Sequence, residues 1–219
     1  MLILPGDRIQ VARLFNFFLQ GEQLAFDCAL RQSQIFPDDI SRRFFATQAR
    51  QEKFHARVFR CGIGILAPKG IGRFSKNAAM ESYRNQLESA LAGGDLALSL
   101  LGMQIILEGL GDVALQHISD GCGPRGIGFS RIRRMVLGQE DAHHNFGIRR
   151  FLAFFAGEAE AVETNRTHFD DYYGQLQNII ESVAPLFEHF DEDPLQYLKE
   201  FESSLPEFFQ PESTPLKVA

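Results

Sequence analysis

Gln51-Glu52-Lys53-Phe54-His55 and Gln139-Glu140-Asp141-Ala142-His143 are one short pattern written twice in the same chain. In an α-helix a Glu and a His three positions apart stand one turn apart on nearly the same face, so both reach a single metal ion beside the helix. Each pattern is preceded by another Glu set among apolar residues: Glu22 lies 30 positions before Glu52, and Glu108 lies 32 before Glu140. The order is E…ExxH…E…ExxH. It gives Glu22, Glu52, His55, Glu108, Glu140 and His143 as a candidate set of metal ligands and catalytic residues.

The segments around these residues read as helices. From about Ile9 to Gln32, Val11, Leu14, Phe15, Phe18, Leu19, Phe26, Ala29 and Leu30 recur at helical spacing, with Glu22 on the same side. A carboxylate there costs on the order of several kcal/mol in desolvation unless it is paired or bound to a cation; the alternative is a Glu at the edge of the stripe that reaches water. Pro37-Asp38-Asp39 suits the first turn of a second helix, which runs through Phe44, Phe45, Gln48, Glu52, His55 and Phe59 and ends near Gly62. Residues 61–77, with Gly62, Gly64, Pro68, Gly70 and Gly72, read as a loop that contains neither a phosphate loop nor a dinucleotide fingerprint. A short helix follows over about 78–92.

Asp95 is positioned to cap a third core helix that reaches about Ser119. In it Glu108 is embedded in Ile105-Ile106-Leu107-Glu108-Gly109-Leu110, and Gln104 and Asp112, one turn away on either side, are candidates for orienting a ligand or a bound water. Gly121-Cys122-Gly123-Pro124 marks a turn and Ser130 a cap. Arg131, Arg133 and Arg134 then load the first turn of the fourth core helix with positive charge that the helix dipole opposes. Ordinary salt bridges or an acidic partner would compensate it. In that helix His144 also lies close to Glu140, but the phase of Glu52 and His55 favours His143 as the inward residue. After Gly157 a supporting helix spans 158–189 and stops at Asp191-Glu192-Asp193-Pro194. A further short helix covers 195–203. The chain thus divides into a helical domain over 1–205 and a tail over 206–219, which Phe208 and Phe209 are available to anchor.

With 219 residues, 45% of them hydrophobic, the chain can bury a sizeable core in one domain. The net charge of -6 gives no general attraction to nucleic acid or anionic membrane, although a local basic patch escapes that average. The N-terminus does not read as a secretory signal, and no apolar run is expected to reach bilayer-spanning length. Cys28, Cys61 and Cys122, odd in number and far apart, read as thiols in a reducing compartment, hence a cytoplasmic protein. The 21 Phe and absence of Trp fit a packed helical core or, alternatively, a pocket for an apolar substrate.

An all-α bundle follows, with four main helices, one long crossover between the second and third, and additional C-terminal helices. The one-Glu and Glu-x-x-His pattern resembles the ferritin-like di-iron carboxylate superfamily over about residues 11–156. The resemblance implies two Fe ions, with Mn as an alternative. Glu22, Glu52 and His55 would lie near one ion and Glu108, Glu140 and His143 near the other, with bridging carboxylates from Glu52 and Glu140. It also implies dioxygen as co-substrate, a small or apolar organic substrate and an external electron donor such as a ferredoxin or reductase. It leaves room for a homodimer. Within the superfamily the oxygenase or hydroxylase type fits best; a ferroxidase, storage or peroxidase role is the second reading, and a non-catalytic helical module the third.

Overall fold

The computed structural model describes residues 6–70, 74–122, 130–190 and 192–210, and for 118–122 and 130–133 the backbone alone. Among the described residues the secondary structure is entirely helical. Helix α1 spans Arg8–Ile35 and α2 Asp39–Leu66, packed along each other for most of their length. The crossover contains α3, Ala78–Gly93. A long central helix follows in three parts: α4, Leu96–Leu100; a π-helical segment, Leu101–Leu107; and α5, Glu108–Cys122. Helices α6, Ser130–Leu152, α7, Glu158–Glu188, and α8, Pro194–Ser204, complete the bundle.

Local chemistry sets the helix starts. The carboxylates of Asp38, Asp95 and Asp193 accept from the free N–H groups of Ser41, Leu98 and Leu195, and the Asn77 side chain accepts from Met80. Pro37 therefore precedes the cap of α2 rather than lying in its first turn, and Asp193-Pro194 opens α8 rather than closing α7. The glycines at 62 and 64 do not end α2, which continues to Leu66. A Cβ at Gly62 would lie 2.6 Å from the Phe15 ring, so this glycine lets α1 and α2 approach closely. The expected turn at Gly121-Cys122 is still helix, while Gly123-Pro124 lies outside the described residues. The side chains of Arg131 and Arg133 are likewise outside the described set.

The central helix lies in the core. Every residue from Leu100 to Leu110 is buried, and Tyr83, Tyr172 and Phe201 are among the fully buried side chains of the same cluster. The expectation that no apolar run reaches bilayer length is corrected here: Leu96–His117 is 22 residues long and apolar enough to cross a membrane by length and composition. Its burial, 72% of the apolar window, comes from packing by the other helices, as in the core helix of a helical bundle. At the C-terminal end Phe209 is buried and stacks on Phe169 at 4.7 Å between ring centres. Pro211 and Pro215 lie outside the described residues.

Candidate metal centre

Six buried side chains from four helices meet between the two halves of the bundle. Glu22 comes from α1, Glu52 and His55 from α2, Glu108 from the start of α5, and Glu140 and His143 from α6. Their exposures run from 0% for Glu52 to 9% for Glu22. The structure brings all six expected residues into two overlapping groups, Glu22–Glu52–His55–Glu140 and Glu52–Glu108–Glu140–His143, with the donor atoms of each group within 4.8 Å of one another.

The donor atoms converge in a way that protein hydrogen bonding does not explain. His55 Nδ1 lies 3.2 Å from Glu22 Oε2, 3.0 Å from Glu52 Oε2 and 3.1 Å from Glu140 Oε1. One N–H cannot donate to three carboxylates at once. On the other side His143 Nδ1 lies 3.0 Å from Glu52 Oε1, 3.6 Å from Glu140 Oε2 and 3.8 Å from Glu108 Oε2. Glu52 and Glu140 thus turn one oxygen to each side, as bridging carboxylates do. Despite these short approaches, both Glu52 oxygens, Glu140 Oε1 and His143 Nδ1 are buried without an aligned hydrogen-bond partner. Leaving such groups unsatisfied costs about 1–3 kcal/mol each, more when charged, so the geometry fits a shared pair of cations. Carboxylate oxygens with imidazole nitrogens, and no thiolate, suit Fe or Mn.

The electrostatics of the protein alone agree. Burial drives the Glu22 and Glu108 carboxyls well above the usual range, reinforced by the Glu140 and Glu52 charges. Burial also acts against charge on His143, but the Glu108, Glu140 and Glu52 carboxylates outweigh it and push the imidazole up to about 12. His55 goes up in the same way, burial being overcome by Glu140, Glu22 and Glu52. For Glu140, burial is outweighed by the close approach of Glu108, His143 and His55, which holds it below the usual carboxylate range. Without a cation the site therefore neutralises its own carboxylates by retaining protons.

The outer contacts show what the sequence reading missed. His55 Nε2 lies 2.8 Å from Gln139 Oε1, and His143 Nε2 lies 2.9 Å from Gln51 Oε1. Each glutamine directly precedes the Glu of one motif and bonds the His of the other. With Nε2–H committed to the glutamine oxygen, Nδ1 is the atom that offers a lone pair to a metal once its proton is displaced. The repeated Gln in the two quoted pentapeptides was the signal. Gln48, fully buried, donates to Glu108 Oε1 at 2.7 Å, and a buried amide chain continues through Gln104 and Gln32 to Ser99.

Gln104 touches the site through Gln48 rather than directly. Its backbone does more: in the π-helical segment the Glu108 N–H bonds back to Met103, five residues earlier, and the Gln104 carbonyl accepts from His144 Nδ1 at 2.8 Å. His144 therefore points away from the ligand cluster and ties α6 to the central helix. Asp112 is half-buried, and its carboxyl is raised by that burial and by Asp141 and Glu140; among the described residues no hydrogen bond joins it to a ligand. Phe44 and Phe146 stack with ring centres 3.6 Å apart, Phe44 standing edge-on to His143 at 6.2 Å, and form an apolar wall on that side.

No protein-family model matches the chain, and no curated protein matches it. The all-helical fold and the two Glu/His clusters are consistent with a ferritin-like di-iron fold.

Proposed function

We propose that this protein is a di-iron oxygenase or hydroxylase that uses dioxygen to oxidise a small or apolar organic substrate. The observation that carries the reading is the sharing of Glu52 and Glu140 between two clusters whose inward donor atoms lack other partners. Glu22, Glu52, His55, Glu108, Glu140 and His143 would hold two irons, which when bound and reduced would bring the electron-donating chemistry that dioxygen activation needs.

The chain's own residues prepare the site for that chemistry. Gln51 and Gln139 fix the imidazole orientation, and Gln48 holds Glu108. Glu52 is fully buried between the two clusters, whereas Glu22, at 9%, is the most exposed of the six. Phe44 and Phe146 keep water from the His143 side and favour an apolar substrate there. With Cys28 and Cys61 both free thiols, the reading assigns the protein to a reducing compartment such as the cytoplasm.

The test is anaerobic loading with Fe(II) followed by exposure to oxygen. The reading expects about two irons per chain, as the two clusters require, and an oxygen-dependent optical change that Glu52→Ala abolishes. Mineralisation of many irons in a closed multimer would instead support the iron-storage reading. Retention of structure and thermal stability without any metal uptake would support the non-catalytic one.

A further inference from the structure

The outer face of α2 carries a second pattern that the metal site does not use. Arg43, Arg50, Lys53, Arg57 and Arg60 are all exposed. At about 100° per residue they fall within a sector of roughly 100°, opposite the face that presents Glu52 and His55, and they extend along about 25 Å of helix. Among the described residues none of the five forms a salt bridge; Arg50 bonds only the Thr47 hydroxyl, and Lys53 lies over the Phe26 ring. By contrast Arg84 on α3 has Asp27, Glu81 and Glu88 around it. Phe54, 41% exposed, and Ile65, 70% exposed, follow one edge of the basic stripe. The chain nevertheless has a net charge of -6, and the exposed face of α7 carries Glu158, Glu160, Glu163, Asp170, Asp171, Glu181 and Glu188. The five clustered cations on α2 thus stand out against a chain with an overall excess of acidic side chains.

We propose that this stripe docks an acidic electron-transfer protein, so that the donor sits across the width of one helix from the ions held by Glu52 and His55. The inference rests on the oxygen-activating reading, in which two one-electron deliveries per turnover come from an outside reductant. Unpaired cations around exposed apolar side chains have the anatomy of a small protein interface, in which charge sets encounter rate and orientation. The stripe is one helix wide, and the remainder of the chain carries a net negative charge. A nucleic acid or an anionic bilayer would meet that repulsive remainder, whereas a compact acidic protein need not.

The experiment titrates the metal-free protein calorimetrically with an oxidised plant-type [2Fe–2S] ferredoxin, an acidic protein, at about 20 and 200 mM salt. It is repeated with Arg57→Glu and with Lys199→Glu, an exposed position on α8 with the same charge change. The expected result is binding that weakens about tenfold with added salt and about tenfold in Arg57→Glu, and is unchanged in Lys199→Glu. Reduction of the iron-loaded oxidised protein by reduced ferredoxin slows in parallel in Arg57→Glu, while reduction by dithionite does not.

Equal losses in both variants, no loss in Arg57→Glu, or binding of poly(U) or phosphatidylserine vesicles through Arg57 in place of the ferredoxin would overturn the proposal. Ferredoxin binding as expected by a protein that fails to take up iron or consume oxygen would uphold the docking surface and sink the oxygenase reading. An oxygen-consuming protein that ignores the ferredoxin would do the reverse.

Discussion

The Nε2 atom of His143 lies 2.9 Å from the side-chain oxygen of Gln51, the residue directly before Glu52 on the facing helix. The mirror contact joins His55 to Gln139 at 2.8 Å. The two motifs therefore hold each other's imidazoles. Gln51→Leu and Gln139→Leu are expected to lower Fe(II) or Mn(II) affinity about 10- to 100-fold each, measured by chelator competition. Gln51→Glu, which keeps an acceptor in place, is expected to retain most of it. An affinity unchanged in both Leu variants would show that the imidazoles need no such support.

Metal binding should displace protons. His143, up to about 12, and His55, raised in the same direction, are both charged near neutrality in the metal-free protein. Because these folded values exceed the unfolded one, their contribution to metal-free stability is full below about pH 6.5 and is lost as pH rises through the folded values. Cations must compete with those protons, so affinity rises with pH across about 6 to 8, by up to about tenfold per unit for each proton displaced. Calorimetric titration in buffers of different ionisation enthalpy reads the release directly. Binding with no net release would contradict the electrostatic picture.

Helix α6 meets the π-helical segment at Gly147, where a Cβ would lie 2.1 Å from Gln104 Cβ and 3.5 Å from its Cα. Gly147→Ala is expected to destabilise by about 1–3 kcal/mol in urea unfolding, because the neighbouring atoms cannot withdraw without moving the central helix. Gly174→Ala on α7, with no neighbour within 4 Å of the added atom, is expected to stabilise by about 0.5–1 kcal/mol. A Gly147→Ala protein as stable as the parent would mean that this approach is looser than it stands.

Asp38 caps α2 through the Ser41 N–H and also pairs with Arg150, and these partners hold its carboxyl below the usual range. Its contribution is present above the unfolded value and fades as pH falls through the folded one. Asp38→Ala is expected to cost about 1 kcal/mol at pH 7, with the difference from the parent shrinking in acid.

Much of this site is legible in the chain because a repeated Glu-x-x-His on two helices imposes its own phase, and a Glu among apolar residues has few inexpensive places to go. The helices around Glu22, Glu52 and His55 follow from apolar spacing alone. The π-helical segment does not. Leu101 to Leu107 is buried on every side with Gln104 as its one polar residue, so no alternation of polar and apolar positions marks where the period changes, and the Gln104 carbonyl passed to His144 is invisible in a one-letter string. Gly62 misled in the opposite sense: it reads as a helix end, yet it serves a close helix–helix contact with Phe15. Gln51 and Gln139 stood in plain view, but their pairing is across helices, and sequence spacing on one helix carries no information about it.

Anomalous scattering at the iron edge, from crystals of the anaerobically loaded protein, tests the central claim most directly. Two peaks should appear, one beside His55 and Glu22 and one beside His143 and Glu108, with Glu52 and Glu140 reaching both. A single peak, a peak elsewhere in the bundle, or Glu52 and Glu140 turned away from the metals would contradict it.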